Sequence, residues 1–313
     1  MSTVTAIVVS YNSVNELPSC LNALKRESCD EIIVIDNNSQ DGSADYVEQN
    51  FPEVVLIKNS ENHGYGKACN QGLSIAASDF ALLLNSDTIA QPNSITKLKE
   101  FLDKQDDAVA CGGSLFFPDG RLQESAANEL TLWVVFCEQT YLEKIFPRSN
   151  LFSPYWVSKK HALKNGFESP LAVEQVMGAC LTMRRVDGEF LRFDEGFFLY
   201  CEDTELCSRL REKGKIFYVP NARFVHLLGK SSVDERWKSI SYYNRGKERY
   251  FSLKKSTLAA FLCFTFNRFG ALLRLSIWAV LFLVSLGRVT NSAQKVGVWA
   301  RVLAARINPY PNN

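Results

Sequence analysis

Apolar and polar residues alternate in blocks along the first part of this chain. Thr5-Ala6-Ile7-Val8-Val9-Ser10 is a short apolar run that ends in the polar turn Tyr11-Asn12-Ser13. Apolar residues at consecutive positions predict a strand buried on both faces, as in a parallel sheet. From Glu16 to Lys25 the period lengthens, with Leu17, Leu21 and Leu24 on one helical face. The cycle then repeats. Glu31-Ile32-Ile33-Val34-Ile35, Val54-Val55-Leu56-Ile57 and Phe80-Ala81-Leu82-Leu83-Leu84 predict further strands. A helix is expected to open after Asp41-Gly42 with Ser43 as N-cap, and another over 66–77. Strand and helix in strict alternation require right-handed crossovers, hence an α/β domain whose parallel sheet carries helices on both faces.

Past Pro92 the pattern predicts a helix over 94–104 and an apolar run at 108–111. The stretch 117–170 has no sustained period and holds the turn Pro118-Asp119-Gly120; it is expected to be irregular and to carry substrate loops. Val176 to Met183 reads as a strand in which Gly178-Ala179 lets a ligand approach the backbone. A helix over 203–213 is stopped by Gly214. Phe217–Pro220 and Arg223–His226 close a domain expected to occupy 1–235, followed by an extension over 236–313.

The extension differs in kind. Lys247, Arg249, Lys254 and Lys255 precede an apolar, aromatic-rich segment from Leu258 to Leu286, and within 269–286 the only charge is Arg274. That length is near the minimum for a bilayer span of about 20 residues. Asn267, Arg268, Arg274 and Arg288 instead suit helices lying in the headgroup region with their cations turned outward. A buried helical pair closing a soluble domain is the third reading. The preceding basic residues favour an anionic, cytoplasmic leaflet.

Composition changes the picture only by exclusion. With 46% apolar and 22% charged residues and a net charge of +1, the chain is globular in character. It offers no Lys/Arg block interleaved with aromatics for nucleic acid. The nine cysteines show neither a C-x-x-C pair nor zinc spacing, and Met1-Ser2-Thr3-Val4 begins no secretory signal, so a reduced cytosolic setting is expected.

Chemistry collects at the predicted strand ends, where open α/β sheets place their ligands. Ser10, Tyr11 and Asn12 end the first strand, Asp36 the second, and Asn85-Ser86-Asp87 the fourth. Asp87 could hold a divalent cation through hard oxygen, or simply cap the next helix. Asp36 with Ser10, Tyr11 and Asn12 suits a base and ribose. Asn62-His63-Gly64-Tyr65-Gly66-Lys67-Ala68 fits neither G-x-G-x-x-G nor G-x-x-x-x-G-K-[ST]; its glycines either admit a phosphate or form an ordinary turn. Glu202-Asp203 follow Phe197-Phe198-Leu199-Tyr200 and read either as first-turn helix charge or as a base for an acceptor hydroxyl. His226 is a metal ligand or a satisfied buried histidine.

Taken in order, Val9-Ser10-Tyr11-Asn12, Val34-Ile35-Asp36-Asn37-Asn38-Ser39-Gln40-Asp41-Gly42, Asn62-x-Gly64-x-Gly66-x-Ala68-x-Asn70, Leu84-Asn85-Ser86-Asp87, Gly178-Ala179 and Gly196-Phe197-Phe198-Leu199-Tyr200-Cys201-Glu202-Asp203 resemble one family. With Tyr218-Val219-Pro220 and His226, they match the family 2 glycosyltransferases, particularly the bacterial rhamnosyltransferase-like branch, over residues 4–232. The resemblance implies a GT-A fold, Rossmann-like, with a mostly parallel central sheet, helices on both faces and a C-terminal apolar helical extension. It implies that Asp36, Ser10, Tyr11 and Asn12, with Gly66, Lys67, Asn85 and Ser86, bind the nucleotide. Asp87 resembles the last residue of D-x-D and, with His226, a ligand set for Mg²⁺ or Mn²⁺. Gly178 and Ala179 face the sugars, Asp203 resembles the general base, and Glu202 supports it. Asn85 replaces the first Asp of D-x-D, which implies weaker metal affinity and a ribose contact.

The implied activity is inverting transfer from a dTDP- or UDP-sugar, with dTDP-rhamnose favoured, to a lipid-linked glycan in cell-surface polysaccharide synthesis. The expected location is the inner face of the cell membrane. Two rivals stay open: a nucleotidyltransferase that makes sugar nucleotides, and a non-catalytic glycan-binding or scaffold protein.

Overall fold

A computed structural model describes residues 2–27, 29–228, 236–286 and 288–305. The elements run β1 (Val4–Ser10), α1 (Leu17–Arg26), β2 (Glu31–Asp36), α2 (Ser43–Asn50), β3 (Val55–Lys58), α3 (Tyr65–Ile75), β4 (Phe80–Asn85), β5 (Thr88–Ala90), α4 (Ser94–Lys104) and β6 (Ala108–Phe116). There follow β7 (Ala126–Ala127), α5 (Leu132–Gln139), α6 (Leu142–Ile145), α7 (Ser158–Asn165), β8 (Leu171–Val173), β9 (Gln175–Val176), β10 (Cys180–Arg184), α8 (Glu202–Leu210) and β11 (Lys215–His226). Three helices end the chain: α9 (Arg236–Lys254), α10 (Thr257–Val284) and α11 (Ser292–Ala304).

Two compact units result. The first comprises Met1–Glu129, Trp156–Glu195 and Glu202–Gly229, and the second Leu130–Tyr155, Gly196–Cys201 and Lys230–Asn313.

In the first unit the main sheet has the order β3-β2-β1-β4-β10-β6-β11-β5, with β8 also paired to β11. The strands β3, β2, β1 and β4 are mutually parallel. Between β4 and β6 lies β10, antiparallel to both, and β6 pairs β11 in parallel. Successive side chains of one strand enter different cores, as the pleat requires. Val4, Ala6, Val8, Ile32, Val34, Phe80, Leu82 and Leu84 join α1 and α4 in one layer. Ile7, Ile33, Ile35, Ala81 and Leu83 join α3 and α8 in the other. Consecutive apolar residues are therefore a true sign of a sheet covered on both sides. Contact is close at Gly72 of α3, where a Cβ would stand 2.6 Å from Ile7 Cγ2.

Two local expectations change. Gly42, at φ +87°, precedes the first turn of α2 and takes the N-cap place. The Ser43 hydroxyl instead bonds Asp41 Oδ1 at 2.5 Å and accepts from Ser13 N–H at 3.1 Å. The stretch 117–170, expected to be irregular, contains α5, α6 and α7. Helix α5, Leu132-Trp133-Val134-Val135-Phe136-Cys137, is apolar around its whole circumference, so it shows no amphipathic period.

The second unit buries several polar and charged groups among its apolar residues. Lys247 is fully buried, bonded to Glu138 Oε2 at 2.9 Å and placed over the Tyr243 ring. The buried stripe of α10 is Cys263, Asn267, Gly270, Ala271 and Arg274. Asn267 Nδ2 donates to Asn244 O and Glu248 Oε1. The outward turn expected of the tail cations is corrected for two of them, Arg274 and Arg268. Arg274 points inward and donates to the Glu138, Gln139 and Gly270 carbonyls at 2.8, 2.8 and 3.0 Å. Arg268 donates to the Val302, Leu303 and Ala305 carbonyls at 2.9, 2.7 and 3.1 Å. The reason is that helices α5 and α11 end in carbonyls with no intrahelical donor, and cations satisfy them. The opposite face of α10 is apolar and open: Leu258, Phe261, Phe269, Leu272, Val280 and Leu283 are 50% to 68% exposed.

Candidate active site

The parallel register brings the first cluster together. Ser10 at the end of β1 lies opposite Asp36 at the end of β2, and Val9 lies opposite Asn85 at the end of β4. Asp36 is buried; its Oδ2 accepts from Ser39 N–H at 2.9 Å, while Oδ1 has no partner among the described residues. A buried acceptor without a donor is costly unless a ligand supplies one. Around it the turn is held by side chains. Asn12, at φ +51°, accepts from Gln40 N–H at 2.7 Å and donates its own N–H to Ser39 Oγ at 2.9 Å. Ser10 and Ser13 hydroxyls bond at 2.9 Å, and Tyr11 remains 46% exposed beside them.

The loop before α3 is tied to this edge by Asn37, whose amide donates to Asn62 Oδ1 and Gly64 O. Gly66 has a packing role: a Cβ there would stand 3.0 Å from Phe193 Cβ. Lys67 is half-buried on the same helix.

The second cluster lies beyond β4. Asp87 Oδ1 is 3.4 Å from His226 Nε2, and the Asp87 carbonyl accepts from Leu227 N–H at 3.0 Å. Pairing of β5 with β11 sets this contact, since Thr88 lies opposite His226. The other face of the ring meets Gln123, with Nδ1 3.0 Å from its Oε1. A hard carboxylate and an imidazole side by side fit a divalent cation. Among the described residues no group of three or more His, Cys, Asp or Glu gathers. A cation held there would need phosphate and water oxygens to complete its shell, as Mg²⁺ sites at phosphates commonly do.

The third cluster opens α8. Gly178 N–H donates to Asp203 Oδ2 at 2.9 Å, Tyr65 O–H donates to Gly178 O at 2.9 Å, and Asn85 N–H to Ala179 O at 3.4 Å. Asp203 thus connects through Gly178-Ala179 to the end of β4. Burial raises the Asp203 carboxyl above its ordinary value, against the opposing pull of the Gly178 and Thr204 N–H groups. Burial, and then the Asp203 charge, push Glu202 up to about 8. Glu202 Oε2 has no hydrogen-bond partner among the described residues. Immediately before this pair Tyr200 and Cys201 stand at φ +72° and +67°. Strain of this kind concentrates at functional sites.

Sequence comparison gives the family of the chain. The profile described as "Glycosyl transferase family 2" matches residues 5–167, more than half of the chain. The chain belongs to glycosyl transferase family 2. It is 28% identical to the N-acetylglucosaminyl-diphospho-decaprenol L-rhamnosyltransferase of Mycobacterium tuberculosis, over 70% of this chain and 74% of that protein. It is 30% identical to the glucosyl-dolichyl phosphate glucuronosyltransferase of Haloferax volcanii, over 41% and 42% of the two chains. The fold resembles two solved structures. One is the mannosyltransferase PcManGT of Pyrobaculum calidifontis in complex with GDP-Man and Mn²⁺, with a TM-score of 0.54 and 12% identity. That likeness covers 97% of this chain and 85% of the other. The second is GalNAc-T7 with UDP, GalNAc and Mn²⁺, with a TM-score of 0.57 and 16% identity over 80% of this chain. This chain spans 48% of that protein.

As a family 2 glycosyltransferase, the chain has the expected GT-A fold with a mostly parallel central sheet. The structure also shows contacts that sequence patterning gave no sign of. Tyr65 and Gln123 each hold a predicted site residue, yet neither stands at a strand end. Asn37 follows Asp36 in sequence as one polar residue among several, and its side chain proves to join the end of β2 to the loop before α3.

Proposed function

We propose that this family 2 glycosyltransferase is a divalent-metal-dependent, inverting enzyme that transfers rhamnose from dTDP-rhamnose to a hydroxyl of a lipid-linked glycan. The observation that carries this reading is the bonded path Asp203–Gly178–Ala179–Asn85. It ties the half-buried Asp203 carboxylate to the end of β4, beside which β1 and β2 end in Ser10 and Asp36.

Asp36 Oδ1 accepts the N3–H of a thymine or uracil, and the neutral Asn85 oxygen accepts from a ribose hydroxyl. Asp87 and His226 hold Mg²⁺ or Mn²⁺, which when bound offsets charge on the diphosphate as a Lewis acid. Asp203 takes the proton of the acceptor hydroxyl. That oxygen forms a bond to the anomeric carbon as the bond to the diphosphate oxygen breaks, and the leaving nucleoside diphosphate keeps the electron pair. A single displacement from the opposite side inverts the anomeric centre. Gly178 and Ala179 line the route between the two sugars.

Family membership displaces the nucleotidyltransferase rival. The M. tuberculosis relative, by its name a decaprenol-linked rhamnosyltransferase, supports a polyprenyl-linked acceptor here. The exposed apolar face of α10 supports peripheral attachment to the cytoplasmic face of a membrane. That helix, 28 residues long and apolar enough to cross a bilayer, commits one side to protein carbonyls and keeps the other for lipid.

The test is incubation with a panel of dTDP- and UDP-sugars, Mg²⁺ or Mn²⁺ and polyprenyl-diphosphate glycans, with products read by mass spectrometry and their anomeric configuration by NMR. Transfer of rhamnose with inversion supports the reading. Nucleotide binding without turnover on any donor would leave a binding protein instead.

A further inference from the structure

We infer that Gln123 is a positioning residue that fixes the tautomer of His226 and presents its Nε2 lone pair beside Asp87. The inference rests on the metal role of His226 and Asp87 given above, and it concerns how this chain prepares that role.

The argument is one of donors and acceptors. Gln123 Nε2 lies 2.6 Å from the His226 backbone carbonyl oxygen, which can only accept. The amide end nearest that carbonyl is therefore the NH₂ group, and the amide orientation is settled. Its Oε1 then faces His226 Nδ1 at 3.0 Å. An amide oxygen also only accepts, so Nδ1 carries the hydrogen. In a neutral imidazole the remaining nitrogen, Nε2, holds a lone pair, and it lies 3.4 Å from Asp87 Oδ1. That separation exceeds the 2.7–2.9 Å of a charge-assisted hydrogen bond. A lone pair and a carboxylate oxygen side by side are two donors for one cation.

Gln123 and His226 are both buried, 5% and 4% exposed, so water does not compete for these bonds. One side chain grips both the ring and the backbone of the same histidine. Rotation of the ring, or transfer of its hydrogen to Nε2, would break the bond at Nδ1. Hydrogen bonds behind a metal-binding histidine typically matter by 10–100-fold in metal affinity.

The test has two readouts that need no turnover. The chain holds three histidines, so long-range ¹H–¹⁵N spectra of ¹⁵N-histidine-labelled full-length protein contain three imidazole patterns, and His226→Ala assigns the relevant one. The expected pattern for His226 is hydrogen on Nδ1. Mn²⁺ affinity is then measured by electron paramagnetic resonance in the presence of dTDP. Gln123→Met, which keeps the shape and loses both bonds, is expected to weaken Mn²⁺ about 10–100-fold while metal-free dTDP affinity is unchanged. Gln123→Glu keeps an acceptor opposite Nδ1 and is expected to stay within a few-fold of wild type.

Hydrogen on Nε2 in the wild type overturns the inference, as does wild-type Mn²⁺ affinity in folded Gln123→Met when His226→Ala has lost it. If Gln123→Met does not fold, the wild-type tautomer and the Gln123→Glu affinity decide. If His226→Ala and Asp87→Asn both bind Mn²⁺ as wild type does, the metal assignment itself has failed, and the inference falls with it.

Discussion

Glu202 offers the sharpest physical test, because its proton links stability to pH in a direction opposite to most carboxylates. Burial and the neighbouring Asp203 charge raise it from 4.5 to about 8. Below pH 4.5 it is protonated in folded and unfolded chains alike, and the linkage is silent. Between 4.5 and about 8 the unfolded chain releases this proton while the folded chain keeps it. Stability then falls with rising pH, by about 1.4 kcal/mol per unit. Across the whole window the loss is about 5 kcal/mol. Glu202→Gln keeps the shape, has no proton to release, and removes that slope. Full-length wild type and variant in mild detergent, unfolded by urea at several pH values through this window, should diverge steadily, the variant gaining as pH rises. At neutral pH the variant should also keep most of its turnover, since its amide imitates the protonated acid. Parallel stability curves for the two proteins across the window would refute the buried, protonated Glu202.

Three further predictions concern the other clusters. Asp36→Asn removes the charged acceptor from the donor edge; calorimetry with dTDP should show affinity reduced by about 1.5–3 kcal/mol, the worth of a hydrogen bond to a charged group. Arg274→Met removes the guanidinium that caps the Glu138 and Gln139 carbonyls at the end of α5, and thermal unfolding should register a loss of about 1–3 kcal/mol, the cost of a buried acceptor left unsatisfied. On the open face of α10, Leu272→Glu with Val280→Glu should abolish flotation with anionic vesicles while circular dichroism and dTDP binding stay unchanged; retained flotation would place the lipid contact elsewhere.

Much of the fold could be read from periodicity because the strands are covered on both faces. An uninterrupted apolar run such as 80–84 suits a doubly covered strand and little else, and its residues do divide between two cores. Periodicity carries no direction, however. Nothing in Cys180–Arg184 shows that this strand enters between β4 and β6 against its neighbour β4. Helix α5 escaped detection for the reverse reason, being apolar on every side. The tail showed its hydropathy but not its orientation: a lone Arg274 in an apolar helix suggests a headgroup, and only the folded chain reveals the unsatisfied end of α5 that draws it inward. At the site, the sequence marks residues at the ends of strands because topology alone brings those ends together. Gln123 follows a turn and belongs to no strand, and its value depends on the pairing of β5 with β11, which the sequence does not display.

The two carboxylates that open α8 show how the same side-chain chemistry is divided into roles by surroundings. Glu202 is buried and Asp203 half-buried, desolvation raises both carboxyls, and two charges so close cannot be held cheaply. The pair therefore keeps one proton, and hydrogen bonds choose its owner. Asp203 receives N–H groups on both oxygens, from Gly178 at 2.9 Å and Thr204 at 2.8 Å. Such donors stabilise the anion. Glu202 Oε2 receives none among the described residues, so the proton settles there. The Gly178 and Thr204 bonds favour Asp203, the proposed base, as the ionised member, oriented by the Gly178 backbone amide. On this reasoning Asp203→Asn costs the 10²–10⁴-fold typical of a lost general base, measured as turnover at saturating donor, with dTDP affinity preserved. Equal losses in Glu202→Gln and Asp203→Asn would mean that the proton is shared differently and that neither oxygen is the dedicated base.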